Sequence, residues 1–330
     1  MGLFKLDFAK SRLTRAFVSI LVVALLVSGG ILVGWKAANR HAYDTANAYP
    51  LLDPSVSQPN VHQEIINFDP LRQNLKQYLA SLNASHSFYF EYLSNGSNIR
   101  DGADQTSVAA SLMKLPVVMD LYKLSEAGKL NLDEQATVKQ SDINTDSDYG
   151  DPTHLKAGDT LSLRQAAQIT LQDSDNTTLN VIKDKVLPLL NDDTDAIQSL
   201  DISFTLTGDN PGNEQANISA RSYSSVLKCL YYSCFLRAGD SEQLLNYLIG
   251  SVEQNRLVAG VGQGIEVAHK VGSSATNTQS DCGIIYYPGK PYLICLMFFG
   301  STVGNTSTDA YFQHVSQMIY NYVATSGTMN

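Results

Sequence analysis

Apolar residues follow three rhythms along this chain of 330 residues. Ala16 to Trp35 is an uncharged stretch rich in Leu, Val and Ile, long enough as a helix to cross a hydrocarbon core of about 30 Å. Helical spacing then appears between Pro70 and Leu82, where Leu71, Leu75, Leu79 and Leu82 fall on one face. It returns over Leu112 to Ala127, Leu163 to Gln172, Thr177 to Leu190, Ala220 to Leu236 and Ala310 to Val323. Strand-like runs occupy Ser87 to Leu93, Ile265 to Lys270, Gly283 to Tyr287 and Tyr292 to Phe299. Asn95-Gly96 signals a tight turn after the first of these, and Pro288-Gly-Lys-Pro291 joins the last two as a hairpin.

One strand early, helices in the middle and a hairpin late imply a sheet assembled from distant parts of the chain, with helices inserted between them. The expected fold is therefore mixed α+β (α/β in the broad sense): an antiparallel sheet packed with helices, plus a mostly helical subdomain. The polar segment 36–66, with Pro50, Pro54 and Pro59, reads as a stalk. The folded domain is expected from residue 67 to 330, and no internal repeat is visible.

Charge sharpens this division. The chain carries 23 Lys and Arg against 32 Asp and Glu, a formal charge of −9. Residues 1–40 contain Lys5, Lys10, Arg12, Arg15, Lys36 and Arg40 against Asp7, a balance of +5; the other 17 basic and 31 acidic residues leave −14. Such an acidic body disfavours nucleic acid as a partner, because phosphate binding needs a basic excess. Ala46-Asn47-Ala48 has the form of a signal cleavage site, yet it lies eleven residues past the apolar run, which is itself longer than a signal's. The expectation is an uncleaved single-pass anchor over 16–35. Four basic residues before it place residues 1–15 in the cytoplasm and the domain outside.

Cysteine, histidine and glycine patterns add less. No H-E-x-x-H or C-x-x-C suggests a metal, and no glycine fingerprint a nucleotide; Gly260, Gly262 and Gly264 read as a loop. Cys229 and Cys234 lie five apart on an expected helix, pointing different ways. Cys282 and Cys295 fall on neighbouring strands and are able to meet. A chain of this size does not need staples, so all four are expected as small buried hydrophobes.

Three short motifs carry chemistry. Ser111-Leu-Met-Lys114 opens a helix, so its serine sits at the positive end of the macrodipole with a lysine one turn away. Such a lysine, if buried, loses its proton readily and takes one from the serine. Ser174-Asp-Asn176 falls between two helices, and Lys270-Val-Gly-Ser273 ends a strand. Each alone also reads as a helix cap or a strand exit.

In this order, and in the contexts Ala109-Ala-Ser-Leu-Met-Lys-Leu-Pro116, Ala127-Gly-Lys-Leu130 and Leu161-Ser-Leu-Arg-Gln-Ala-Ala167, the motifs resemble those of the class A serine β-lactamases and related penicillin-binding proteins. The resemblance covers about residues 65 to 325. It implies Ser111 as a nucleophile toward a lactam or amide carbonyl, and Lys114 as its proton acceptor or relay. Ser174 would pass a proton to the leaving nitrogen. Asn176 would hold the substrate amide and Lys114, and Lys270 would face the substrate carboxylate. Gly272 would let the ligand approach the strand, and the backbone N–H groups of Ser111 and Ser273 would form an oxyanion hole. No metal or organic cofactor is required.

Two departures stand beside these matches. Val271 replaces the hydroxyl residue that usually follows the lysine, and Ser273 is placed to compensate from the same strand face. The E-x-x-L-N element that activates the deacylating water has no counterpart beyond Glu214-Gln-Ala-Asn217. The reading is an anchored serine hydrolase acting on β-lactams or D-Ala-D-Ala-like peptides, with slow deacylation. A penicillin-binding D,D-peptidase and a non-catalytic sensor or scaffold are the alternatives, the latter disfavoured by the presence of Lys114.

Overall fold

The computed structural model describes residues 49–53, 66–144, 154–207, 215–274, 278–300 and 305–326. In chain order the helices are α1 (Asp69–Ser81), α2 (Lys114–Glu126), α3 (Leu163–Gln172), α4 (Asn176–Val186), the short α5 (Ala196–Ser199), α6 (Ala220–Tyr231), α7 (Ala238–Ile249) and α8 (Asn305–Thr325). The strands are β1 (Ser85–Tyr92), β2 (Ser97–Asp101), β3 (Thr106–Val108), β4 (Gln135–Thr137), β5 (Thr160–Ser162), β6 (Phe204–Thr207), β7 (Gln215–Ser219), β8 (Val267–Ser274), β9 (Thr278–Ile285) and β10 (Tyr292–Phe299).

The main sheet has the order β2-β1-β10-β9-β8, antiparallel throughout. The first strands therefore pair with the last ones, as the sequence implied. Because β10 is central, both its faces are covered and its residues are apolar in both registers. Ile294, Leu296 and Phe298 pack with Leu71, Leu75 and Leu79 of α1 and Phe312, Val315 and Ile319 of α8. Leu293, Cys295 and Met297 face the other way, into a larger core shared with α2, α3, α6 and α7. Smaller sheets, β3-β7-β6 and β4-β5, border the helical part.

Local chemistry explains where elements stop. At α3, Ser162 accepts from the Gln165 amide while the Gln165 side chain accepts from the Ser162 amide, a reciprocal cap. The helix expected to reach Leu190 ends at Val186, and Leu187–Leu189 continues as a 3-10 turn, since Pro188 has no N–H to extend the ladder. Helix α6 ends at Tyr231 rather than Leu236 because Ser233, at φ 52°, turns the chain back. Helix α7 has no counterpart in the sequence reading. Gly239, Asp240 and Ser241 in its first turn look like a loop, but Leu244, Leu245 and Leu248 bury its inner face.

The cysteine expectation is corrected: both pairs form disulfides, Cys229–Cys234 and Cys282–Cys295. The turn at Ser233 brings Cys234 back over the end of α6, where its amide donates to the Cys229 carbonyl at 3.0 Å. Cys282 and Cys295 are direct cross-strand partners on β9 and β10. A purely helical projection of residues 229–234 missed the first pair.

Within the stretch expected as a stalk, residues 49–53 pack on the domain. Leu51 and Leu52 are 4% and 3% exposed. The Leu51 amide donates to Glu242 of α7 at 3.1 Å, its carbonyl accepts from the Tyr286 hydroxyl at 2.9 Å, and the Asp53 amide donates to the Tyr231 carbonyl at 2.8 Å. No helix among the described residues is long and apolar enough to cross a membrane. The expected span at 16–35 lies outside those residues.

Candidate active site

The three motifs meet where the helical part abuts the edge strand β8. Residues Ala110–Met113 form a 3-10 turn that runs directly into α2, placing Ser111 at the helix entrance and Lys114 on its first turn. Ala110 is left-handed at φ 47° and Ser174 at φ 57°, conformations that cost a residue with a side chain about 1–3 kcal/mol each and tend to collect at working sites. Ser174 can hold this shape because Asp175 after it is a buried cap for α4, accepting from the Thr178 amide at 2.6 Å.

Lys114 is 2% exposed. Its ammonium donates to Ser111 Oγ at 3.1 Å, to Ser174 Oγ at 3.2 Å and to the Ser174 carbonyl. Three donors are thereby engaged, so Lys114 is held by Ser174, not by Asn176 as expected. Asn176 is half-buried as the first residue of α4. Lys270, 1% exposed, donates to the same Ser174 hydroxyl at 2.9 Å and to the Val271 carbonyl at 3.2 Å.

Electrostatics follow from this packing. Burial pushes Lys114 down to about 7, the nearby Lys270 charge and Lys183 add to the fall, and Asp175 opposes it. Lys270 falls to about 8, again chiefly by burial, with Asp281 and Glu253 opposing and Arg256 reinforcing. An amine at about 7 is poised to accept the proton of the hydroxyl 3.1 Å away.

Gly272 has a different role from the one expected. A Cβ there would lie 2.5 Å from Ser280 Oγ, 2.9 Å from the Ala109 carbonyl and 3.1 Å from Leu112 Cγ. The protein fills that space itself: the glycine lets β8 press against the turn carrying Ser111. Val271 is buried and, by strand alternation, shares its face with Ser273. The compensation expected of Ser273 is absent in this geometry, because its hydroxyl donates to Gln279 Oε1 at 2.8 Å.

Sequence reasoning overlooked Arg256. This arginine, 8% exposed, pairs with Asp309 of α8 at 2.9 Å. It also donates to the carbonyls of Gly272 at 3.3 Å and Ser280 at 2.7 Å, to Ser273 Oγ at 3.1 Å and to Gln279. It lies in an irregular segment fourteen residues before Lys270, where no local pattern marks it. Beside it, Asp281 accepts from the Leu257 amide at 3.0 Å and bonds His269 Nδ1 at 2.9 Å, both side chains fully buried. Of Glu214-Gln-Ala-Asn217, the glutamate lies outside the described residues. Asn217 is on β7, its amide donating to Thr207 Oγ1 at 2.7 Å on an exposed hairpin.

A family model described as the β-lactamase enzyme family matches residues 70–323. A β-lactamase of Proteus vulgaris is 27% identical over 217 residues, covering 62% of this chain and 70% of that protein. The β-lactamase OXY-2 of Klebsiella oxytoca is 25% identical over 276 residues, 80% of this chain and 91% of its own. Among solved structures, PBP-A superposes with a TM-score of 0.68 at 22% identity over 79% of this chain and 98% of that one. A β-lactamase from Sphaerobacter thermophilus gives 0.68 at 20% over 79% and 98%; at such identity these two likenesses speak for the fold. With its family model spanning sheet and helices alike, and its Ser-x-x-Lys, Ser-Asp-Asn and Lys-Val-Gly motifs converging on one hydroxyl, the chain belongs to the β-lactamase enzyme family and is a serine hydrolase.

Proposed function

We propose that this chain is a membrane-anchored acyl-transfer enzyme that opens β-lactams or D-Ala-D-Ala-like peptides through an ester on Ser111 and releases the acyl group slowly. The observation carrying this reading is the hydroxyl of Ser174 held between Lys114 and Lys270 at 3.2 and 2.9 Å. Neutral Lys114 takes the Ser111 proton as Oγ attacks the carbonyl. Ser174, whose oxygen accepts from both lysines, keeps its own proton free to pass to the leaving nitrogen, and Lys114 replaces it. The developing oxyanion is met by the backbone N–H groups of Ser111 and Ser273, worth about 3–4 kcal/mol per donor. Lys270 supplies the positive charge for the substrate carboxylate.

Slow release is supported by the region that would have to activate water. Asn217 is tied into the β6–β7 hairpin, and no E-x-x-L-N glutamate is encoded there. Anchoring is supported by the uncharged run 16–35 with its basic flank, which puts the domain on the extracytoplasmic side. Benzylpenicillin mixed with the protein should give an adduct on Ser111 that persists for hours by intact mass. A lifetime of minutes or less would instead make the protein a turning-over β-lactamase. A D,D-peptidase is the second reading, favoured by the absence of the water-activating motif; hydrolysis of a D-Ala-D-Ala peptide decides it.

A further inference from the structure

Ser273 and Gln279 are direct cross-strand partners on β8 and β9, and Gln279 is 2% exposed. The single hydroxyl proton of Ser273 goes to Gln279 Oε1 at 2.8 Å, and the same oxygen receives an Nη2 proton of Arg256. The other four N–H groups of Arg256 go to Asp309, the Gly272 and Ser280 carbonyls and Ser273 Oγ. A guanidinium has five donors and a hydroxyl one. Ser273 and Arg256 therefore already give every side-chain proton to the protein, and the Val271 side chain offers none.

We propose that Gln279 is a specificity-determining positioning residue: by holding the Ser273 hydroxyl and the Arg256 guanidinium inward, it withholds both from a substrate carboxylate that Lys270 faces. The site is thereby biased toward acyl donors whose carboxylate is esterified, amidated or absent. The inference rests on the acyl-enzyme reading above and adds a substrate preference to it. Gln279 acts through Ser273 and Arg256.

The test compares acylation rates of the full chain by benzylpenicillin, which carries a carboxylate, and by its methyl ester, which does not, followed by intact mass. Gln279→Leu, which removes the acceptor while keeping the bulk, should raise the acid-to-ester rate ratio roughly tenfold, the ester rate staying near wild type, since a freed donor gains a charge-assisted bond. Ser273→Ala added to Gln279→Leu should return part of the gain. Gln279→Glu, which keeps the acceptor, should leave the ratio no higher than wild type. An unchanged ratio in Gln279→Leu, a fall in both rates together, or a fall in the acid rate alone would each overturn the proposal. Should Gln279→Leu fail to fold, Gln279→Ser removes the same long acceptor and gives the same readout. Ser111→Ala is the separate control: labelling that survives it defeats the acyl-enzyme reading rather than the role of Gln279.

Discussion

Lys114 and Lys270 donate to one oxygen, the hydroxyl of Ser174, over 3.2 and 2.9 Å. Burial is what chiefly makes a base of Lys114, and the charge of Lys270 on the shared acceptor lowers it further. Each lysine must be in the opposite protonation state from the other for the proposed chemistry. Their separation, about 7 against about 8, is narrow.

The acylation rate should accordingly be bell-shaped in pH. It rises as Lys114, lowered to about 7, loses its proton, and falls as Lys270, lowered to about 8, loses its charge. Lys270 is one of the charges that lower Lys114. Lys270→Gln should move the rising limb upward in pH, since it removes a positive neighbour of Lys114. A rising limb that stays in place would contradict that coupling.

Ser174→Ala removes the shared acceptor and the proton donor to the leaving nitrogen. Acylation by benzylpenicillin should slow by about 10²–10⁴-fold, with the fold intact by circular dichroism. A loss below threefold would mean that the proton reaches the nitrogen by another route.

Gly272→Ala should be damaging although the side chain added is one methyl group. Its Cβ would stand 2.9 Å from the Ala109 carbonyl, forcing apart the strand with Lys270 and the turn with Ser111. A displacement near 1 Å costs on the order of 100-fold in rate, so acylation should fall by that order with a smaller change in melting temperature. Near-wild-type acylation would show that the turn moves freely.

Residues 49–53 should contribute to the stability of the domain they dock on. Leu52→Ala empties a buried site and should cost about 2–4 kcal/mol in a urea titration, and Leu51→Asp should expose the Tyr231 and Glu242 surface to hydrogen exchange. Removing the Cys282–Cys295 crosslink by paired Ala substitution should cost about 2–4 kcal/mol by the same titration. If Leu52→Ala unfolds at the wild-type urea concentration, the docked segment is ornamental to the fold.

The sequence by itself determined the parts. Alternation and helical spacing gave α1, α3, β10 and α8 within a few residues, because each buries a stripe or a face that its own side chains define. The motif order named Ser111, Lys114, Ser174 and Lys270, since these residue types at these positions are local facts. Only the tertiary structure decided what the parts do to one another. Lys114 is a base through burial and through Lys270, 156 positions away; Gly272 accommodates Ala109 instead of a ligand; Gln279 and Arg256 have no pattern of their own and matter through Ser273. The disulfides and the docked segment 49–53 were misread for the same reason. Their partners are set by where the chain returns, at Ser233 and along β9, and that return is a property of the packed core rather than of any window of sequence.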